Sequence, residues 1–326
     1  RLWDTVDGSS SVLPDGFAGV DSLAFSLDGR LLLACSLWGS VRVHDTLKGT
    51  AVYIRMYCDT WPISACLSPD GRRVATVGSS GCVHFWDATS GSQVGEGLSE
   101  SAPITSVAFS PDGQSIAAAL PNGTVRILEA ESGNQRSVMQ NTCNAIHSLA
   151  FSPDGSMLAV STSDCIVQLW DTATGAQLPA LWGHAARRRF NSVEFSSDGR
   201  LVVGACEDHT ARVWDAASAR PVCTLRNHDG EVTSAVFVAN STRVLTGSRD
   251  GSARLWDAFA GTELARLYAF DDGSWAVTAP DSRYDASNDG DTIGLRWTVG
   301  MESFPCSRYK DRYYTPGLLA KVLRGE

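Results

Sequence analysis

A short apolar-Trp-Asp triplet returns along the chain at a nearly constant interval, and nothing else in the sequence limits the possible folds so sharply. It stands at Leu2-Trp3-Asp4, Phe85-Trp86-Asp87, Leu169-Trp170-Asp171, Val213-Trp214-Asp215 and Leu255-Trp256-Asp257. Degenerate copies stand at Val43-His44-Asp45 and Ile127-Leu128-Glu129, and the central positions step by 41 to 44 residues. A four-residue turn keeps the same period: Ser26-Leu27-Asp28-Gly29, Ser68-Pro69-Asp70-Gly71, Ser110-Pro111-Asp112-Gly113, Ser152-Pro153-Asp154-Gly155 and Ser196-Ser197-Asp198-Gly199. Weaker copies are Val238-Ala239-Asn240-Ser241 and Ala279-Pro280-Asp281-Ser282. Proline presets φ in such a turn, aspartate bonds its own backbone, and glycine accepts a positive φ. Alternating strands flank each turn, so each is read as a β-hairpin. A unit of this length cannot bury its apolar faces alone and must stack on its neighbours.

These residues resemble the WD-repeat family, and the likeness extends over roughly residues 1 to 300. It implies an all-β, seven-bladed β-propeller of four-stranded antiparallel blades, followed by a short C-terminal helical tail over 301–326. The units are read as 5–45, 46–87, 88–129, 130–171, 172–215, 216–257 and 258–299. Closure is expected from Ser10-Ser11-Val12-Leu13, placed as the outer strand of the blade begun by Ser274-Trp275-Ala276-Val277. Either Leu2-Trp3 or Leu295-Arg296-Trp297 could be the third strand of that blade; the second is preferred, and eight blades result if both serve. The resemblance also implies a structural tetrad of His228, Ser248, Asp250 and Trp256 within one blade. A second copy has His184, Asp208 and Trp214 with Cys206 at the hydroxyl position, and a third has Thr142, Thr162, Asp164 and Trp170. Although His-Ser-Asp invites comparison with a hydrolase triad, its fixed repeat spacing marks a network in which each partner satisfies another's polar atoms.

Several classes are argued against directly. No apolar run approaches the length of a membrane helix. A formal net charge of -9 opposes general attraction to nucleic acid. The nine cysteines include no CxxC pair. Six of them (Cys35, Cys66, Cys82, Cys165, Cys206, Cys223) sit in apparent strands, where thiols serve as small buried hydrophobes. They read as reduced core residues of a cytoplasmic protein, with no metal site and no cofactor. Neither HExxH, a Gly-rich phosphate loop nor a nucleophile elbow is present, so no catalytic residue is assigned. Opening on Arg1-Leu2-Trp3-Asp4, the end of a repeat, the chain is expected to be a piece of a longer polypeptide.

The tail carries Thr315-Pro316, suited to a helix N-cap and first turn, ahead of an apolar stripe of Leu318, Leu319, Val322 and Leu323. The segment from Gly273 to Ser287, with Gly294-Leu295-Arg296-Trp297, resembles a terminal segment of some microbial WD-repeat proteins whose propeller adjoins an effector such as a caspase-like protease.

In the family the face opposite the Ser-Pro-Asp-Gly turns is the usual binding surface. Alignment of the repeats places Asp59, Trp61, Trp38, Arg187, Arg188, Arg189, Glu207, Asp229, Glu231 and Arg249 there. The unit 172–215 is longer than its neighbours, and the extra length falls at the three arginines, whose guanidinium forks suit carboxylate or phosphate. The expected function is a non-catalytic, monomeric scaffold or sensor module that binds other proteins or peptides, within a larger multidomain protein. Two alternatives stay open: a recognition domain joined to a protease, kinase or nucleotide switch, and a nucleic-acid or phospho-ligand binder acting through Arg187–Arg189.

Overall fold

The computed structural model describes residues 2–3, 10–11, 20–26, 28–36, 40–54, 62–78, 80–95, 98–99, 103–140, 145–164, 166–183, 188–238, 242–299 and 302–326. Each repeat turn closes a hairpin as its chemistry dictates. In the second repeat the Ser68 hydroxyl donates to Asp70 at 2.6 Å and accepts the Arg73 N–H at 2.9 Å. Gly71 then turns the chain at a φ of 68°. The same serine-to-aspartate bond recurs at Ser26, Ser110, Ser152 and Ser196.

Among the described residues six blades follow, not seven. From inside to outside, blade one is Val20–Phe25, Leu31–Ser36, Val41–Asp45 and Thr50–Ile54. Blade two runs Pro62–Leu67, Arg73–Gly78, Cys82–Asp87 and Leu98–Ser99. Blade three is Ser106–Phe109, Ser115–Ala119, Thr124–Glu129 and Gln135–Gln140. Blade four is Ile146–Phe151, Met157–Thr162, Ile166–Asp171 and Leu181–Trp182. Blade five is Phe190–Phe195, Leu201–Cys206, Ala211–Asp215 and Pro221–Leu225. Blade six begins with Val232–Val238, Arg243–Ser248, Ser252–Asp257 and Glu263–Ala269. All neighbouring strands are antiparallel, and successive inner strands pack on one another from blade one to blade six. The apolar clusters lie between blades: Val203, Val213 and Leu225 of the fifth, for instance, pack on Val232, Ala235 and Trp256 of the sixth.

The expected seventh unit goes elsewhere. Trp275–Thr278 pairs with Glu263–Ala269, and Tyr284–Ala286 pairs with it in turn, so the sixth sheet grows to six strands. The cause is local. Phe270, Asp271, Asp272 and Gly273 form a tight turn in which Gly273 has a φ of 80° and the Asp272 carboxylate accepts the Ser274 N–H at 2.8 Å. A turn so short returns the chain beside the strand it has just left. Arg296–Val299 pairs with Glu302–Pro305 rather than acting as a third blade strand, and Ser10–Ser11 pairs with Leu2–Trp3 rather than with the C-terminal segment.

The tail helix, Leu318–Arg324, starts later than its sequence suggests. Its N-cap is Gly317, in the left-handed region, instead of Thr315. The cap is supplied from outside: the buried Asp285 carboxylate accepts the Gly317 N–H at 2.7 Å and that of Leu318 at 3.4 Å. Leu318, Leu319 and Val322 are buried on Leu255, Leu267 and Val277, so the helix covers the free side of blade six. Blade one differs. Leu23 and Phe25 on its inner strand are 60% and 56% exposed, whereas their counterparts Val193 and Phe195 are each 5% exposed against blade four.

Candidate functional site

Two kinds of polar constellation emerge at the ends of the blades remote from the Ser-Pro-Asp-Gly turns. The first is internal to blade six. Trp256 donates its indole N–H to Thr246 Oγ1 at 2.8 Å, and Thr246 Oγ1 lies 2.7 Å from His228 Nε2. On the other side of the imidazole, Nδ1 lies 2.7 Å from Asp250 Oδ2. A consistent proton order runs from indole to hydroxyl, hydroxyl to Nε2, and Nδ1–H to carboxylate, which requires a neutral ring. Burial, partly offset by the neighbouring Asp250, holds the His228 pKa below its ordinary value. Burial works against the Asp250 carboxylate too, but hydrogen bonds from Ser252, His228 and the backbone outweigh it and keep its pKa low. Arg254, 1% exposed, spans from Asp250 at 3.5 Å to Glu263 at 2.9 Å.

The hydroxyl of this network is therefore Thr246 and not Ser248. Ser248 Oγ donates to the Gly230 carbonyl at 3.1 Å and accepts the Asp250 N–H at 3.1 Å. The sequence does contain the missed signal, a threonine ten positions before the tryptophan. Thr76 and Trp86 repeat it in blade two with the same 2.8 Å bond. In blade five the corresponding residue is Gly204, where a Cβ would come within 3.2 Å of the Trp214 ring and 3.1 Å of Phe190. Phe190 packs edge-on against Trp214 at 5.6 Å between centroids, and the indole N–H turns to the Trp182 carbonyl at 3.3 Å. In blade four the position is Val160, and among the described residues the buried Trp170 indole N–H finds no acceptor. There Thr162 instead bonds Asp164. His184 and Thr142 lie outside the described residues.

The second constellation is on the surface. Arg189 Nε lies 2.6 Å from Glu207 Oε1, and the Glu207 N–H donates to the Arg189 carbonyl at 3.1 Å. In blade six the equivalent pair has its charges exchanged. Arg249 Nε lies 3.2 Å from Glu231 Oε2, and the Arg249 N–H donates to the Glu231 carbonyl at 2.9 Å. Asp229 is tied in through its backbone N–H, which donates to Asp250 Oδ2 at 3.2 Å. Arg188 is exposed beside the first pair. Asp59, Trp61, Trp38 and Arg187 lie outside the described residues. One aromatic on this rim escaped the sequence reading: Trp182, 68% exposed, ends the outer strand of blade four. Its signal was a tryptophan at a position that is Gln140 in blade three.

Among the described residues no group of three His, Cys, Asp or Glu side chains is placed to hold a metal ion, and no helix is long and apolar enough to cross a membrane.

Comparison with known families adds two matches. The WD domain, G-beta repeat model matches residues 175–215 and 219–257, which contain nearly all of blade five and most of blade six. A second model, Domain of unknown function (DUF7165), matches residues 5–168, half of the chain. A search of curated proteins finds no match.

Proposed function

The chain belongs to the WD-repeat β-propeller family, with residues 5–168 falling in the DUF7165 domain family, and on that premise we propose that it is a non-catalytic platform binding other proteins or peptides. The binding surface is the rim of blades four to six. The observation that carries this reading is the pair of exchanged ion pairs. Arg189 with Glu207, and Glu231 with Arg249, stand at equivalent places on adjacent blades in opposite order. Such an alternation presents both signs of charge in a fixed pattern, which favours one partner orientation and rejects like-charged ones. Trp182, exposed at the end of the outer strand of blade four, supplies an aromatic of the type that dominates interface energetics.

A catalytic reading of His228 and Asp250 has little support. The hydroxyl that His228 reaches already accepts the Trp256 indole N–H, and Thr246 is 0% exposed. A pure anion-binding reading of the arginine loop is weakened as well, because Arg189 is matched by Glu207. The buried cysteines Cys35, Cys206 and Cys306 suit a reducing compartment such as the cytoplasm.

The test is a charge swap. Glu231→Arg combined with Arg249→Glu keeps a bridge within blade six while inverting its order. Affinity capture from the native source, with wild type and swap in parallel, should lose the specific partner from the swap at unchanged thermal stability. If both proteins retain the same partners in equal amounts, the rim is not the binding surface.

A further inference from the structure

Charge is spread unevenly along the chain. Residues 296–326 carry six Lys and Arg against three Asp and Glu, on a molecule whose net charge is -9. Three of those cations, Arg308, Lys310 and Arg312, alternate along the 3-10 turn Cys306–Tyr309 and the helical turn Lys310–Tyr313 that follows it. Each lies over an aromatic ring. Arg308 Cζ is 3.8 Å from the Phe304 ring centroid and 5.8 Å from that of Tyr309. Arg312 Cζ is 5.1 Å from the Tyr313 centroid, and Lys310 Nζ is 5.1 Å from that of Tyr314. The rings beneath the two arginines form an edge-to-face row, Phe304 to Tyr309 and Tyr309 to Tyr313, each at 6.5 Å.

The row is fixed to the body of the protein at both ends. Cys306, 1% exposed, gives its thiol hydrogen to the Leu295 carbonyl at 3.1 Å and accepts the Tyr284 hydroxyl on its own carbonyl at 3.2 Å. Beyond the helical turn, the Thr315 N–H donates to the Tyr284 carbonyl at 2.7 Å, and the Tyr314 ring packs on that of Tyr284 at 5.6 Å. Arg308 and Arg312 are nevertheless exposed. Among the described residues no carboxylate lies within ion-pair distance of Arg308, Lys310 or Arg312; the acids nearest in sequence, Glu302 and Asp311, are exposed and pair with none of them. A guanidinium resting on a ring keeps all its N–H donors in its own plane, so its fork stays open to a carboxylate at the edge. The ring also restricts the side chain beforehand, which removes part of the entropy that an exposed ion pair ordinarily costs.

We infer that Phe304–Tyr313 is a second docking surface, and that it takes an acidic peptide segment of a partner protein, two of whose carboxylates meet the forks of Arg308 and Arg312. Positions four apart on a helical stretch share one side, with Cβ atoms about 6 Å apart. Acidic residues two apart in an extended segment stand about 7 Å apart and match that spacing. Lys310, on the other side of the turn, adds positive field without joining the contact. Single-stranded nucleic acid is disfavoured because its bases need free ring faces, and here the guanidinium groups lie over them. A long polyanion or an anionic membrane would also extend past the patch onto a body that is net acidic. A short acidic segment feels mainly the local cations, since charges beyond about 8 Å are screened at physiological salt.

The surface shares no residue with the rim ion pairs, so its test is independent of the charge swap above. The probe is a Gly-Gly-Glu-Gly-Glu-Gly-Gly peptide, against its glutamine counterpart, at physiological salt. Arginine Nε–H signals are followed by nitrogen-15 NMR on the full chain, those of Arg308 and Arg312 assigned with Arg308→Lys and Arg312→Lys. The glutamate peptide should shift both signals and the glutamine peptide neither, while Arg30, exposed but already paired with Asp45, should stay in place. The double variant Arg308→Lys with Arg312→Lys keeps the charge but gives up the forks, and should lose at least fivefold in affinity, with folding checked by circular dichroism. The Glu231→Arg, Arg249→Glu swap should bind the peptide as wild type does. If the two wild-type signals do not move, or the glutamine peptide moves them equally, or Arg30 moves as far, the inference fails whatever the variants do. Undiminished affinity in the double lysine variant would overturn it too, since charge alone would then suffice. Oligothymidylate or phosphatidylserine vesicles binding these arginines more tightly than the peptide would overturn the choice of partner.

Discussion

Blade six and blade one are built from the same repeat and are held together by different means. Blade six ties four side chains into one hydrogen-bonded chain, buries Arg254 between two carboxylates, and has its free side covered by the C-terminal helix. Blade one has His44 where blade six has Trp256, and Ala34 where it has Thr246. Its inner strand presents Leu23 and Phe25 to solvent. Repeat spacing specifies a hairpin and a strand order, and both blades obey it. Rigidity comes from the few positions where a polar group can find a second polar group, and from whatever covers the outer face.

The largest test of that contrast removes the centre of the network. Trp256→Ala should cost roughly 3–5 kcal/mol, because it deletes a fully buried aromatic and strips Thr246 of its indole donor. Leu128→Ala, at the equivalent place in blade three, should cost less, since Leu128 holds no polar network. Chemical denaturation of the two variants decides, and a reversed order would count against the network as the source of the difference.

A second comparison probes the covered and uncovered faces. Val193→Asp forces a carboxylate into the junction with blade four and should cost about 4 kcal/mol or more. Leu23→Asp at the matching position of blade one should fall within about 0.5 kcal/mol of wild type, as for other exposed positions. Equal losses, measured as urea midpoints, would mean that something covers blade one in solution.

Much of this was legible beforehand, and the errors have physical causes. The turn tetrapeptides and the Trp-Asp period located the first six units because each landmark is a local steric or hydrogen-bonding requirement. The seventh failed because a period was extrapolated across Asp271-Asp272-Gly273, whose own turn chemistry returned the chain to the neighbouring strand. Ser248 was mistaken for Thr246 because strand residues two apart face the same way, and either hydroxyl satisfied the pattern. Spacing to the tryptophan would have separated them. On the rim, alignment of the repeats places Arg189 and Glu207 on the same face but does not pair them, since they are brought together only by the hairpin between them.

That correction can itself be tested within blade six. Thr246→Val should cost roughly 1–3 kcal/mol, because it leaves the His228 Nε2 and the Trp256 N–H buried and unpaired while preserving shape. Ser248→Ala should cost about 1 kcal/mol or less, as it gives up only local backbone bonds. Thermal unfolding of both variants measures the gap, and a larger loss from Ser248→Ala would restore the sequence-based assignment.

The smallest effect separates blade six from blade five by pH. His228 has a folded pKa below its ordinary 6.5, so its contribution is complete above that pH and is lost as the pH falls toward the folded value. Glu194 has the opposite sign. Its folded pKa, pushed up by burial to about 8, lies above the ordinary 4.5, so its contribution is complete at low pH and is lost as the pH rises between the two. Between 4.5 and 6.5 the two slopes therefore oppose each other, and from 6.5 to 8 only Glu194 still acts. Over that upper window the wild type should lose on the order of 1 kcal/mol, while Glu194→Gln, which cannot ionise, should stay flat. Urea midpoints of both proteins at half-unit pH steps give the measurement. Parallel curves over the upper window would show that Glu194 is solvated in the folded state, and the contrast between the two blades would then rest on the hydrogen-bonded network alone.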